Sequence, residues 1–350
     1  MSSKELDRVR VMEQIDVGAL SLGEAAMRMG VCYRQARRIR QRWLTGGPSG
    51  LAHGSRGGFS NREKPRDFRD QVVARYQDRY EDFGATLAAE KLAEDGLIVA
   101  RETLRRWLIA DQVMVVGQQR RKHRRRRDRR GHFGELVQMD GSDHAWFEDR
   151  GPVCTLMVMV DDATGRVQAH FSPSESLDGA QRVMKRWIEA YGGAPATLYT
   201  DRLNLYYVER EASVAEKRQG SGPLSEFGRI CWRLGTGQIT ARSPQAKGRV
   251  ERVNGTLQDR LVKEMRLAGI SSIEAGNAFL PGFLGFYNAR FSLAPAQEAN
   301  YHRVVDPRTP LDDLLARETT RQVQNDWTLS YGPQTIQIVK QPGLPPAKRR

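Results

Sequence analysis

Apolar residues recur at helical spacing over the first 45 positions and predict three short helices. The second of them, within Leu22–Val31, carries its apolar residues on one face. Ser21 and Glu24 have the spacing of a capping box, in which the serine hydroxyl accepts from a free amide of the first helical turn. The pattern therefore predicts where this helix begins.

The third predicted helix combines an apolar stripe with a basic surface. Ala36, Ile39 and Trp43 form the inner stripe. The outward positions hold arginines, namely Arg34, Arg37, Arg38 and Arg42. The two helices together predict a helix-turn-helix whose basic second helix suits the major groove of DNA. An ordinary three-helix bundle would share the apolar stripe but has less need of so many arginines.

A second helical group follows a glycine-rich stretch. Helices are predicted over Phe68–Tyr80, Ala85–Asp95 and Ala100–Ala110, separated by glycines. Three basic residues line the last of them: Arg101, Arg105 and Arg106. This group resembles a second helix-turn-helix, so we expect two tandem DNA-binding domains that recognise a longer site than one would.

The hydrophobic period changes after residue 133. Strands are predicted over Glu135–Asp140, Val153–Val160, Arg166–Phe171, Thr197–Thr200 and Gln238–Thr240, with helices over Leu177–Tyr191, Leu224–Leu234, Val250–Leu267 and Ser271–Tyr287. The order βββ-α-β-α-β-α predicts a ribonuclease-H-like α/β core with a mixed five-stranded sheet, in which the first and fourth strands are neighbours. Alternating residues within 323–339 predict a small C-terminal β segment.

The chain is thus expected to be a multidomain α+β protein. The predicted division is a helix-turn-helix domain at 1–50, a linker at 51–65, a second helix-turn-helix domain at 66–115, a basic linker at 116–132, the core at 133–290, and a C-terminal linker and β module at 291–350.

Charge is distributed unevenly along the chain. The formal net charge is +14, and residues 1–130, with 29 Lys and Arg against 17 Asp and Glu, carry +12 of it. A basic front half joined to a nearly neutral remainder is typical of a polyanion-binding module attached to a domain of another kind. A solvated basic surface without a partner is the alternative. The three cysteines are too scattered for a disulfide framework or a zinc site.

No signal peptide or long apolar run is present in the sequence. We therefore expect a cytoplasmic protein with no membrane partner.

The strongest charge run is Arg120–Arg130, in which nine of eleven residues are cationic. Such a run repels itself, and we expect it to become ordered when DNA phosphates neutralise it. The predicted phosphate contacts are Arg120, Arg121, Lys122, Arg124, Arg125, Arg126 and Arg127. A nuclear-localisation signal is the alternative that composition alone allows.

Three carboxylates stand at positions where a fold can bring them together. Asp140 and Asp201 each end an apolar, strand-like run, and Glu251 lies at the start of a strong helical pattern. They are 61 and 50 positions apart. Converging carboxylates form a site for paired Mg²⁺ or Mn²⁺ ions in phosphoryl transfer.

Four sequence blocks carry a resemblance to a known family. They are Met139–Ser142, Val160–Arg166, Leu198–Arg202 and the long block Ser243–Leu261. In these blocks the chain resembles the DDE transposases of bacterial insertion sequences, closest to the ISNCY-like group, whose core is shared with retroviral integrases. Two features depart from the pattern: Leu203 occupies a position where a polar residue is expected, and residues 203–223 form an insertion.

The resemblance implies that Asp140, Asp201 and Glu251 are a catalytic, metal-binding triad for two Mg²⁺ or Mn²⁺ ions. It implies a transposase that binds the terminal inverted repeats of an insertion sequence, cleaves DNA at the 3′ end of the element and transfers that end into target DNA. Because two ends must be joined, a dimer or larger assembly on double-stranded DNA is expected. The resemblance also implies a bacterial protein associated with the nucleoid. A catalytically silent DNA-binding regulator and a metal-dependent nuclease are the alternatives.

Further residues near Glu251 are predicted to bind DNA. Asn254 and Gln258 share its helical face at i+3 and i+7. Lys247 and Arg249 precede the helix, where cations can bind a phosphate. An exposed polar helix face is the alternative for the two amides.

Other polar and aromatic residues have simpler interpretations. Asp161 and Asp162 fit a turn in which carboxylates accept from backbone amides. Asp143 and His144 are at least as well explained by a structural loop. The remaining tryptophans of this region, Trp146, Trp187 and Trp232, are interpreted as core or interface residues. The repeat sequence, target preference, transposition route and subunit number do not follow from the sequence.

Overall fold

The computed structural model describes residues 2–53, 64–115, 127–212, 214, 223–240, 248–319, 321–324 and 326–339. The chain divides into two compact units, Met1–Gly117 and Gln118–Arg350. Among these residues no helix has both the length and the apolar character needed to cross a bilayer. The finer six-part division expected from the sequence stays a prediction.

The first unit begins with three helices around one small core. They are α1 (Ser3–Asp16), α2 (Leu22–Arg28) and α3 (Tyr33–Gly46), followed by a 3-10 turn at Gly47–Leu51. The capping box is present, because the Glu24 amide donates to Ser21 Oγ (3.3 Å) and the Ser21 amide donates to Glu24 Oε2 (2.8 Å). Met12, Ala25 and Ile39 are fully buried and join the three helices.

Three more helices complete this unit at the predicted places. They are α4 (Arg66–Arg79), α5 (Ala85–Glu94) and α6 (Arg101–Ala110). Val72, Leu92 and Leu104 are fully buried. Gly96, with φ +85°, follows α5 in a left-handed conformation that favours glycine.

The second unit contains a five-stranded mixed sheet. Its elements are β1 (Val137–His144), β2 (Cys154–Asp161), β3 (Val167–Ser172), α7 (Leu177–Tyr191), β4 (Thr197–Thr200), α8 (Glu226–Arg233), β5 (Gly237–Thr240), α9 (Gly248–Leu267), α10 (Ile273–Phe291), α11 (Leu311–Leu315), β6 (Thr328–Tyr331) and β7 (Gln334–Gln337). The strand order β3-β2-β1-β4-β5, with β1 antiparallel to β2 and parallel to β4, confirms the predicted ribonuclease-H-like core. The β6–β7 hairpin confirms the C-terminal β segment.

Helices cover both faces of the sheet. All eight residues of β2 are buried, and their side chains alternate between two apolar clusters. Leu156 and Val158 pack with residues of α9 and α10, whereas Met157 and Met159 pack with α7 and α8. A strand buried on both faces explains why this run is continuously apolar in the sequence.

One strand is longer than predicted. We expected β1 to end at Asp140, but it continues to His144, so Asp140 lies in the middle of the strand. The cause is the partner strand, because β2 pairs with β1 along its whole length, from Val137 opposite Asp161 to His144 opposite Cys154. The polar run after Asp140 carries no apolar signal of its own.

The segment that follows α10 packs onto the core. The Tyr301 amide donates to the carbonyl of Phe133 (2.9 Å), and Arg303 and Ala194 form an isolated antiparallel bridge. Leu315 of α11 is buried against α7 and α8. Residues 291–319 therefore form a strap against the core. The assignment of 291–350 to a C-terminal linker and β module stays a prediction.

His302 of this strap is held in its neutral form. Its Nε2 accepts from the Trp187 indole N–H (3.0 Å), and its Nδ1 lies 2.6 Å from Asn300 Oδ1, which can only accept. A proton on Nε2 would oppose the indole donor. Burial lowers the pKa of His302 from 6.5 to about 4.

Acid is therefore expected to weaken the fold through His302. The unfolded state takes up the proton near pH 6.5 and the folded state only near pH 4, so stability falls as the pH drops through that window. Urea unfolding between pH 7.5 and 4.5 should show a shallower pH slope for His302→Gln than for the wild type. Equal slopes would contradict a neutral, half-buried His302.

Candidate catalytic site

Asp140 and Asp201 lie on neighbouring parallel strands. The register of β1 and β4 pairs Val137 with Leu198 and Gln138 with Tyr199. Two residues further on, the same register brings Asp140 level with Asp201, which directly follows β4. Asp201 is fixed locally, since its Oδ1 accepts from the amide of Leu203 (3.0 Å). Leu203, which departs from the expected pattern, serves here through its backbone.

A buried tyrosine lies among these carboxylates. The Tyr206 hydroxyl donates to Glu175 Oε1 (3.0 Å), and its ring meets Phe227 edge-on. Its pKa is raised well above 10, first by burial and then by the charges of Glu175, Asp201 and Asp140. The acids of the two strands therefore share one electronegative neighbourhood around the Tyr206 hydroxyl.

Glu175 is a member of this neighbourhood that the sequence analysis missed. A Cβ added at Gly141 would lie 2.6 Å from Glu175 Oε2, so the carboxylate rests directly on the backbone next to Asp140. Only a glycine at position 141 admits this approach. Glu175 follows β3 in a serine-rich turn without a recognisable motif. Nothing in the sequence spacing could have identified Glu175 as part of the site.

Helix α9 runs along β1 in the same direction. The Val250 amide donates to Gln138 Oε1 (3.2 Å) and Gln258 Nε2 donates to Ser142 Oγ (3.1 Å). Between them, Asn254 Nδ2 donates to Asp140 Oδ2 (3.4 Å). Four helical residues rise about 6 Å and two strand residues about 6.6 Å, which explains why the two elements stay in register.

The two amides predicted to bind DNA thus contact β1. Asn254 and Gln258 lie on the face of α9 that packs on the strand, and Asn254 is only 8% exposed. Their DNA contacts stay a prediction. The alternative of an exposed polar face is wrong for Asn254.

Glu251 stands in the first turn of α9, three residues before Asn254, and is exposed. Among the residues that the structure describes, no three His, Cys, Asp or Glu side chains are close enough together to hold a metal ion. The structure thus brings Asp140 and Asp201 together and places the helix of Glu251 beside them. The role of Glu251 as a third ligand stays a prediction.

An orphaned oxygen beside Asp140 shows whether this region suits a cation. Asn254 Oδ1 is buried and has no hydrogen-bond partner among the described residues, while Asn254 Nδ2 contacts Asp140. Amide and carboxylate oxygens are among the donors that Mg²⁺ and Mn²⁺ prefer. The residues present fit such an ion.

The turn between β2 and β3 has a structural role. Asp161 accepts from the amides of Gly134 (3.0 Å) and Thr164 (2.7 Å), as predicted for this turn. Asp162 also accepts from a backbone amide, that of Arg130 (2.8 Å). In addition it binds arginine side chains: Arg249 Nε donates to its Oδ1 (2.5 Å), and Arg127 pairs with the same oxygen. Arg127 and Arg249, both predicted to bind DNA, therefore form ion pairs with Asp162 of the second unit.

The other predicted DNA contacts are distributed as follows. Exposed positions in the first unit hold Arg34, Arg37, Arg38, Arg42, Arg101 and Arg106, and Arg105 is half-exposed beside Glu102. Outside the described residues lie Arg120, Arg121, Lys122, Arg124, Arg125, Arg126 and Lys247. The outward arginines of α3 agree with the predicted basic helix, and their contacts with DNA stay a prediction.

The remaining polar and aromatic residues have the following contacts and burial. Asp143 accepts from the Thr155 hydroxyl on the paired strand, and His144 meets Trp146 edge-on. Trp146 and Trp187 are fully buried, as expected for core residues. Trp232 is 70% exposed and is not in the core.

The chain is similar to a domain family, to solved structures and to whole proteins. Residues 7–59 match a helix-turn-helix domain family, which confirms the first predicted motif. Two solved structures are similar at 19% identity. One is the HTLV-2 integrase catalytic core domain in complex with magnesium (TM-score 0.34; 47% of this chain, 94% of that chain). The other is the simian T-cell lymphotropic virus intasome in complex with the PP2A regulatory subunit B56 gamma (TM-score 0.36; 70% and 81%).

Two bacterial relatives cover most of the chain. The transposase for insertion sequence IS1202 of Streptococcus pneumoniae is 27% identical over 325 residues, 82% of this chain and 68% of that protein. The putative transposase y4bF of Sinorhizobium fredii (strain NBRC 101917 / NGR234) is 41% identical over 341 residues, 97% of this chain and 73% of that protein. Because the identity to y4bF is 41% over 97% of this chain and 73% of that protein, the chain belongs to the transposase family of these relatives.

Proposed function

We propose that this transposase binds the terminal inverted repeats of an insertion sequence and catalyses metal-dependent cleavage at the 3′ end of the element and transfer of that end into target DNA. The observation that carries the proposal is the register that sets Asp140 level with Asp201, with α9 alongside. Both chemical steps attack a phosphodiester, so one carboxylate site serves both.

The proposed triad is Asp140, Asp201 and Glu251. Two Mg²⁺ or Mn²⁺ ions held there would supply Lewis acidity and orient the attacking and leaving oxygens. Asn254 holds the Asp140 carboxylate from α9 and presents its own unpaired Oδ1. Glu175, which Tyr206 holds against Gly141, adds negative charge beside Asp140 and favours cation binding at the middle of β1.

The DNA partners are proposed from charge and exposure. The arginines of α3 face solvent on a helix of a matched helix-turn-helix domain and suit the major groove of the repeat. The helices α4–α6 and the basic run 120–130 would extend the contact along the backbone. Two ends must be joined together, so we propose that the protein acts as a dimer or larger assembly on DNA.

A joining assay tests this function. Purified protein is incubated with a pre-cut element-end duplex, a plasmid target and Mg²⁺, and products are separated by size. We expect joined products that depend on the divalent cation. Cleavage without joining would identify a nuclease, and end binding without either reaction would identify a DNA-binding regulator.

A further inference from the structure

A fully buried carboxylate, that of Asp162, directly follows the last residue of β2. Asp162 has no exposed side-chain surface, and it accepts from Arg249 Nε (2.5 Å), the Arg127 guanidinium and the amide of Arg130 (2.8 Å). A buried charge is stable only when paired and hydrogen-bonded. Asp162 therefore fixes Arg249, the second residue of α9, firmly onto the end of the sheet.

Gln138 holds the same helical turn from a second direction. It is 1% exposed, and its amide bridges two elements: Nε2 lies 3.4 Å from Asp162 Oδ1, and Oε1 accepts from the Val250 amide at 3.2 Å. The first amides of a helix have no partner within the helix. Gln138 supplies that partner from β1 and thereby acts as a side-chain cap of α9.

Asp162 and Gln138 thus contact Arg249 and Val250, the two residues that directly precede Glu251. We propose that Asp162 and Gln138 are positioning residues that fix the location of the Glu251 carboxylate. This proposal rests on the proposed role of Glu251 as a metal ligand. Helix ends fray unless their first turn is held, and a ligand site tolerates displacements of only about 0.5 Å. The Asp162–Gln138 pair ties the turn that carries Glu251 to the strand that carries Asp140.

The neighbouring Asp161 provides a matched control. It is equally buried and lies in the same turn, but its hydrogen bonds go to Gly134 and Thr164, away from α9. Asp161→Asn should therefore disturb the fold without loosening the first turn of α9. Asp162→Asn removes the charge that binds Arg249 and leaves the shape of the side chain.

The test compares Asp162→Asn with Asp161→Asn by two measurements. In deuterium exchange without metal or DNA, peptides spanning 248–256 should exchange faster in Asp162→Asn alone. In the joining assay, the Mg²⁺ concentration for half-maximal activity should rise about 10-fold to 100-fold in Asp162→Asn, the range for residues that orient metal ligands. Asp161→Asn should keep the wild-type Mg²⁺ requirement even if its melting temperature falls.

Equal exchange in the two variants, or an unchanged Mg²⁺ requirement in Asp162→Asn, would overturn the inference. If Asp162→Asn does not fold, Gln138→Met replaces it, since that change keeps the volume and removes both the cap of Val250 and the contact with Asp162. A wild type that binds ends without joining them would refute the proposed function, whereas the exchange measurement would still decide whether Asp162 holds α9.

Discussion

Glu251→Gln is expected to abolish strand transfer while leaving binding to the element end unchanged. The substitution keeps the size and hydrogen-bonding reach of the side chain and removes its charge, and a neutral amide is a weaker ligand for a divalent cation. A metal site contributes several kcal/mol to transition-state stabilisation, so the rate should fall by about 1,000-fold or more. Joined products from a pre-cut end, measured over time, check the prediction.

Glu274→Gln is the matched control for this variant. Glu274 is also an exposed glutamate in the first turn of a long helix of the same unit, α10. We expect wild-type strand transfer from it. Strand transfer by Glu251→Gln at the rate of Glu274→Gln would remove Glu251 from the triad.

Trp187→Ala is expected to destabilise the second unit by about 3 to 5 kcal/mol. Trp187 is fully buried in the cluster that joins α7 to the sheet, and it packs edge-on against Tyr191 at a centroid distance of 4.6 Å. The truncation leaves a large cavity and also removes the indole donor to His302. Urea unfolding at pH 7.5 measures the loss directly.

Trp232 gives the contrasting case. It is 70% exposed on α8, so Trp232→Ala should change stability by no more than about 0.5 kcal/mol. The two variants remove the same side chain from buried and exposed positions. Similar losses in both would contradict the packing of Trp187 at the centre of the unit.

Periodicity was enough to predict most elements of the core. The bounds of α7 and β4 agree with the sequence prediction, because Leu177–Tyr191 has a clear apolar face and Thr197–Thr200 a short strand pattern. The order of elements is that of a ribonuclease-H-like domain, in which the first and fourth strands are neighbours. The pairing of β1 with β4, and with it the proximity of Asp140 to Asp201, was therefore predictable.

The remaining features depend on tertiary contacts that no local pattern encodes. The extension of β1 to His144 is imposed by β2, and the position of Glu175 depends on the absence of a side chain at Gly141. The arginine at position 249 carries the same charge whether it binds a phosphate or Asp162. Only the fold shows that a buried carboxylate lies within its reach.

The most direct test of the central claim is to locate the cation. Crystals of the protein on a pre-cut end duplex, grown with Mn²⁺, give the ion positions by anomalous scattering. The account predicts two peaks between Asp140 and Asp201, with the Glu251 carboxylate bound to at least one of them. Peaks that contact other residues while Glu251 stays in solvent would contradict it.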